Sequence, residues 1–294
     1  IAHNLGDPVV EGRWAERSGP GYGWSLSCKA VSAGSRHSIM APWLQGLVAL
    51  LVSVGFGPEL VLGAVECSDG ATRIYTSSGG LDVTLARRGF FGSSVVFIGD
   101  LDGDGVEDLA VGAPGETNTG DEPGSVYILF MAGSGNVKST VTITDSTPGF
   151  TFTLEADDSF GSAVEWFSLN GTNYLAVGSN TDNDGGSETG SVYLLQLNTT
   201  GEVLNASKLS NSGGLPFTLD TNSEFGTAIA SLGDIDGDGI TDLAVGASAI
   251  STGYVYLLFM NADASIKSST LINNALGDFP FTLSSSDRFG ISLA

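Results

Sequence analysis

Beyond residue 90 the apolar positions come in short runs bounded by Gly, Asp, Asn and Ser. The runs are β-branched and aromatic and too short for helices, which predicts strands. In the first stretch they are Ser93–Gly99, Asp108–Ala113, Ser125–Met131 and a last strand, either Thr140–Thr144 or Phe150–Leu154. Four strands with short connections make a meander sheet with two apolar faces. Such a sheet cannot bury both faces alone, so neighbouring sheets must stack.

The same pattern recurs. Phe91-Gly92, Phe160-Gly161, Phe225-Gly226 and Phe289-Gly290 are successive starts, 69, 65 and 64 residues apart. Six residues before each Phe stands a Leu preceded by Thr: Leu85, Leu154, Leu219 and Leu283. After the Phe-Gly come Leu-Ala-Val-Gly-Ala at 109–113 and 243–247, and Leu-Ala-Val-Gly-Ser at 175–179. Gly-Ser-Val-Tyr-Ile-Leu (124–129), Gly-Ser-Val-Tyr-Leu-Leu (190–195) and Gly-Tyr-Val-Tyr-Leu-Leu (253–258) follow. Landmarks in fixed order define a repeat array. A unit of this length is long for a solenoid rung and suits a propeller blade. The expected fold is therefore all-β, a partial β-propeller of four-stranded antiparallel blades. Units 91–159, 160–224 and 225–288 are complete, and 289–294 opens a fourth.

Charge marks a boundary near residue 90. Residues 1–90 hold seven basic and seven acidic side chains, so the net charge of −22 lies wholly beyond them. That acidic stretch repels phosphate and anionic lipid, which argues against nucleic-acid and membrane-surface binding and favours multivalent cations. Cys28, Cys67, His3 and His37 all lie before residue 90, leaving no thiol or imidazole chemistry to the repeats. The apolar stretch from Met40 to Gly57 follows Arg36 and His37 and reads as a secretory signal over 40–66; a buried helix and a short membrane anchor are the rival readings. Residues 1–39 are then an upstream translation artefact or an unprocessed leader, and the repeat region runs over 71–294.

Units one and three each carry an aspartate loop, Asp100-Leu-Asp102-Gly-Asp104-Gly-Val-Glu-Asp108 and Asp234-Ile-Asp236-Gly-Asp238-Gly-Ile-Thr-Asp242. Four carboxylates on one tight loop, joined by the carbonyls of Val106 and Ile240, supply the roughly six to eight oxygens that calcium takes once water is added. Gly105 and Gly239 permit the positive φ of the sharp turn. An EF-hand is excluded: Val111 and Val245 stand where that loop needs a bidentate Glu. In unit two the loop is Ser168-Leu-Asn170-Gly171-Thr-Asn, and the distance from the Phe to the Val is 17 residues rather than 20. Asn-Gly is a favoured two-residue hairpin turn that needs no metal. Two structural calcium sites are expected, with calcium taking the place of turn chemistry.

The repeated Phe-Gly, Val-Gly-Ala-Pro at 111–114 and the aspartate loop between them resemble the FG-GAP blade of integrin alpha subunits. Unit spacing and Leu-Phe-Met-Asn-Ala-Asp at 258–263 resemble microbial and algal FG-GAP arrays more closely still. The resemblance covers about residues 81–294 and is degenerate in unit two, where Ser179-Asn180 replaces Ala-Pro. Propellers of this family hold more blades than are found here, so the chain is expected to be a fragment. The resemblance also implies ligand recognition on the face opposite the calcium loops. There lie the connections Gly115–Pro123, Asn180–Thr189 and Ser248–Thr252, together with those preceding each Phe-Gly.

The functional expectation is an extracellular, secreted or cell-surface, non-enzymatic adhesion module for a protein or glycan ligand. The alternative is an accessory propeller of a secreted carbohydrate- or lipid-active enzyme whose catalytic residues lie elsewhere. A lectin is a weaker third reading, because Trp166 is the one tryptophan of the repeats. Asn170, Asn198 and Asn205 begin N-glycosylation sequons, relevant to a secreted eukaryotic protein. Asp182-Asn-Asp184-Gly185 is either a weak additional cation site or a solvated turn.

Overall fold

A computed structural model of the chain describes residues 72–117, 123–250, 252–274, 282–284 and 287–294. The leader, the signal-like segment, both cysteines and both histidines lie outside the described residues. Among the described residues, twelve strands form three antiparallel sheets, each in meander order. The first comprises β1 (Ser94–Gly99), β2 (Asp108–Ala113), β3 (Ser125–Met131) and β4 (Val137–Ile143). The second comprises β5 (Phe160–Leu169), β6 (Thr172–Ser179), β7 (Ser191–Leu197) and β8 (Val203–Leu209). The third comprises β9 (Phe225–Gly233), β10 (Asp242–Ala247), β11 (Tyr254–Met260) and β12 (Ile266–Ile272). The described part is all-β: three propeller blades that do not close into a ring.

Sequence dictates how the blades stack. Along β3, Val126, Ile128 and Phe130 enter one apolar cluster while Tyr127, Leu129 and Met131 enter another, as the two-residue period of a strand requires. The first cluster unites sheet one with Phe160, Tyr193 and Leu195 of sheet two. The next unites Val192 and Leu194 with Val245 and Leu258 of sheet three. The central strands β2, β6 and β10 are thus covered on both faces and read as unbroken runs rather than alternating ones. Full burial of a side chain such as Ile128 or Leu129 contributes about 2 kcal/mol.

The repeated Phe-Gly joins each blade to the one before it. The amide N–H groups of Phe160, Phe225 and Phe289 donate to the carbonyls of Pro123, Thr189 and Thr252, at 2.9, 3.0 and 2.9 Å. Each following glycine meets the glycine of the preceding Val-Gly. A Cβ on Gly112 would lie 2.0 Å from the Gly161 carbonyl oxygen, and one on Gly178 2.1 Å from that of Gly226. Phe289-Gly290 makes the same contacts on sheet three, as the opening of a further unit should.

The structure decides between the two expected fourth strands of unit one. It is the first, over Val137–Ile143 rather than Thr140–Thr144, and Phe150–Leu154 is not a strand. Turn bonds from Thr147 N to the Thr144 carbonyl and from Phe150 N to the Thr147 carbonyl carry the chain off the edge of β4. Phe150 and Leu154 then fill the cluster between sheets one and two, so their apolar pattern records packing rather than pairing. β1 begins one residue later than expected, at Ser94.

Candidate metal centre and ligand face

Both aspartate loops join the first and second strands of their sheets, and their glycines supply the curvature. Gly103 and Gly105 have φ of 78° and 88°, and Gly237 and Gly239 have 81° and 86°. Asp100 folds back over the loop: Oδ1 accepts from Asp104 N at 2.9 Å and Oδ2 from Gly105 N at 2.8 Å. Asp234 repeats this with Asp238 N at 3.0 Å and Gly239 N at 2.8 Å.

Asp108 and Asp242 are different in kind. Each opens the central strand of its sheet and is buried. The two oxygens of Asp108 accept from Leu101 N at 3.0 Å and Met131 N at 2.9 Å, tying the loop to the end of β3. Asp242 does the same with Ile235 N and Met260 N, both at 3.0 Å. Burial pushes the Asp108 carboxyl above its ordinary value, against the lowering effect of the two amides.

Carboxylate oxygens of Asp100, Asp102 and Asp108 come within 4.8 Å of one another, as do those of Asp234, Asp236 and Asp242. An all-oxygen, all-carboxylate set of this kind suits a hard cation such as calcium and offers neither nitrogen nor sulfur to a softer one. Asp104 and Asp238 stand outside these triads. Their Oδ1 atoms accept from Val106 N and Ile240 N at 2.9 Å, while their Oδ2 atoms face lysines, Lys138 at 2.5 Å and Lys267 at 2.6 Å. These hydrogen bonds, that from the lysine first, hold both carboxyls below the usual carboxylate range. The sequence reading missed both lysines, although each is the second residue of its fourth strand.

Unit two closes its first hairpin as its Asn-Gly predicts. Leu169 pairs with Thr172, and Asn170 and Gly171 take φ of 47° and 81°. At the place of Asp108 stands Tyr174, buried and stacked on Phe167 with ring centroids 5.8 Å apart.

At the other end of sheet two lies a pocket of about 330 Å³, lined among others by Phe152, Glu155, Asp158, Asp182, Asp184 and Lys208. Lys208 Nζ sits 2.8 Å from Asp182 Oδ2 and 3.0 Å from Asp184 Oδ2, and the Tyr193 hydroxyl donates to Asp182 at 3.0 Å. Asp158 is 2% exposed. Its Oδ2 accepts from Glu155 N at 2.7 Å, while Oδ1 is buried without a hydrogen-bond partner among the described residues. Burial first, with the charge of Asp182 adding, pushes its carboxyl up to about 7. Burial also acts on Asp184, but hydrogen bonds from Ser212, Lys208 and Ser210 outweigh it and lower that carboxyl. Asp182 and Asp184 are therefore held in an ion pair with Lys208, which is more than a solvated turn. The sequence reading did not single out Asp158 or Lys208.

In unit one the same place is filled by the chain itself. Gly89 replaces Asp158, and Glu116 reaches into the vacated space to accept from Ala86 N at 2.7 Å. Of the sequon asparagines, Asn170 and Asn205 are exposed. The Asn198 amide donates to Glu202 Oε2 at 2.7 Å.

Stacked four-stranded blades joined through Phe-Gly starts, two of them carrying aspartate loops, define an all-β repeat module. Residues 91–129 and 225–258 match the FG-GAP repeat model, and the chain carries FG-GAP repeats. It is similar to integrin alpha-PS2 of Drosophila melanogaster, 28% identical over 193 residues, which are 62% of this chain and 13% of that protein. It is also similar to integrin alpha-11 of Homo sapiens, 29% identical over 223 residues, 70% of this chain and 17% of that protein. The chain thus spans less than a fifth of the length of either relative. Both FG-GAP matches fall on the units with aspartate loops; unit two lies outside them.

Proposed function

We propose that this chain is a calcium-stabilised extracellular binding module of the adhesion type. Its ligand, a protein or glycan, is met by the blade ends opposite the aspartate loops. The observation that carries the calcium assignment is the recurrence of one all-carboxylate triad at one place in two blades, against a metal-free Asn-Gly turn at that place in the third. Asp100, Asp102, Asp104 and Asp108, with the Val106 carbonyl, hold one ion. Asp234, Asp236, Asp238 and Asp242, with the Ile240 carbonyl, hold the other. Dissociation constants of about 10⁻⁴ to 10⁻³ M, usual for extracellular modules, match a secreted setting. The likeness to two integrin alpha chains supports an extracellular, cell-surface role, and exposed Asn170 and Asn205 suit glycan attachment. The unit-two pocket supports placing recognition on the opposite face, since its buried Asp158 Oδ1 has no hydrogen-bond partner among the described residues.

Calcium titration by calorimetry, paired with melts in chelator, tests the metal. The full chain takes up two equivalents, and Asp102→Ala and Asp236→Ala each remove one. An unchanged melt in chelator, or two sites surviving in the double variant, overturns the assignment.

A further inference from the structure

The two lysines beside the aspartate loops recur with the loops and not with the fold. Lys138 is the second residue of β4, and its Nζ bridges Asp102 Oδ2 and Asp104 Oδ2, both at 2.5 Å. Lys267 is the second residue of β12 and bridges Asp236 Oδ2 at 2.8 Å and Asp238 Oδ2 at 2.6 Å. The second residue of β8, in the blade whose turn holds no carboxylate, is Leu204, left 59% exposed. Sheet two does have a lysine, Lys208, but it sits near the far end of β8 and serves Asp182 and Asp184 instead. The strand itself therefore has no need of a lysine at the second position; the acidic loop does.

We propose that Lys138 and Lys267 are built-in counter-ions of the two cation sites, holding the loops together without metal and lowering their affinity for it. The inference rests on the calcium reading of the loops. Three or four carboxylates on one short loop repel one another, and a tethered ammonium relieves part of that repulsion. Each ammonium donates to one oxygen of the third and one of the fifth loop residue, which the calcium reading also needs. The lysine side chains are 39% and 42% exposed, so each can leave for solvent when a divalent ion with twice the charge arrives. Calcium binding then costs the lysine pairs, and affinity settles lower than the carboxylates alone would give.

The test is calorimetric calcium titration of the full chain, with chelator melts, for Lys138→Met, Lys267→Met and Leu204→Lys. Methionine keeps the apolar stem and removes the charge. Each lysine variant should bind calcium roughly three- to tenfold more tightly at its own site and melt lower than the parent in chelator. Leu204→Lys should change neither quantity. Unchanged or weaker calcium binding in both lysine variants overturns the counter-ion role while leaving the calcium assignment standing. Absence of calcium uptake by the unsubstituted chain at millimolar calcium removes the assignment and this inference with it.

Discussion

Blades one and two of this chain solve the same two problems in opposite ways. At the end that joins the first and second strands, blade one uses a long acidic loop, a buried Asp108 tied to β3 and a lysine leaning in from β4. Blade two uses a two-residue turn, a buried Tyr174 and an exposed Leu204. At the far end the roles reverse. Blade one closes the space with Gly89 and Glu116, whereas blade two leaves Asp158, Asp182, Asp184 and Lys208 around an open pocket. Charge has been concentrated at opposite ends of neighbouring blades. An array can hold both arrangements because the elements that stack it, the Phe-Gly and Val-Gly contacts, are backbone contacts that recur from blade to blade whatever side chains the loops carry.

That contrast can be broken most severely at Asp108. Asp108→Ala strips two amides, the half-buried one of Leu101 and the buried one of Met131, of their acceptor. It should lower stability by about 2–4 kcal/mol in chemical denaturation with chelator present. A loss below about 0.5 kcal/mol would mean that Asp108 serves only the metal.

A smaller, pH-dependent effect is expected at the pocket. The Asp158 carboxyl is raised in the folded state, to about 7 from 3.8, so its stabilising contribution is complete below pH 3.8. It is lost as pH rises through 7, because the unfolded chain gives up the proton more readily. Asp158→Asn keeps the acceptor for Glu155 N and cannot ionise. It should flatten the fall in melting temperature between about pH 4 and pH 7, and a pH profile parallel to the parent's would refute the burial argument. The smallest expected effect is at the turn of blade two: Gly171→Ala forces a side chain onto φ of 81° and should cost about 1 kcal/mol without changing calcium uptake.

Much of this was legible in the sequence. Repeat period, blade boundaries, the strand runs, both aspartate loops and the Asn-Gly hairpin were all local patterns, written in consecutive residues. Local chemistry settles such features because a turn needs particular φ values and a strand needs period-two apolar positions wherever the chain goes. What the sequence left open depends on residues far apart in it. The fourth strand stayed undecided between Thr140–Thr144 and Phe150–Leu154 because Val137–Ile143 is an edge strand with polar positions, while Phe150 and Leu154 are apolar for packing between sheets. Lys138 reaches Asp102 across 36 residues, and Asp158 meets Asp182 across β5 and β6 and shares its pocket with Lys208 on β8. Only the stacked, registered blades bring those groups together, and their burial, charge pairing and protonation follow from that meeting.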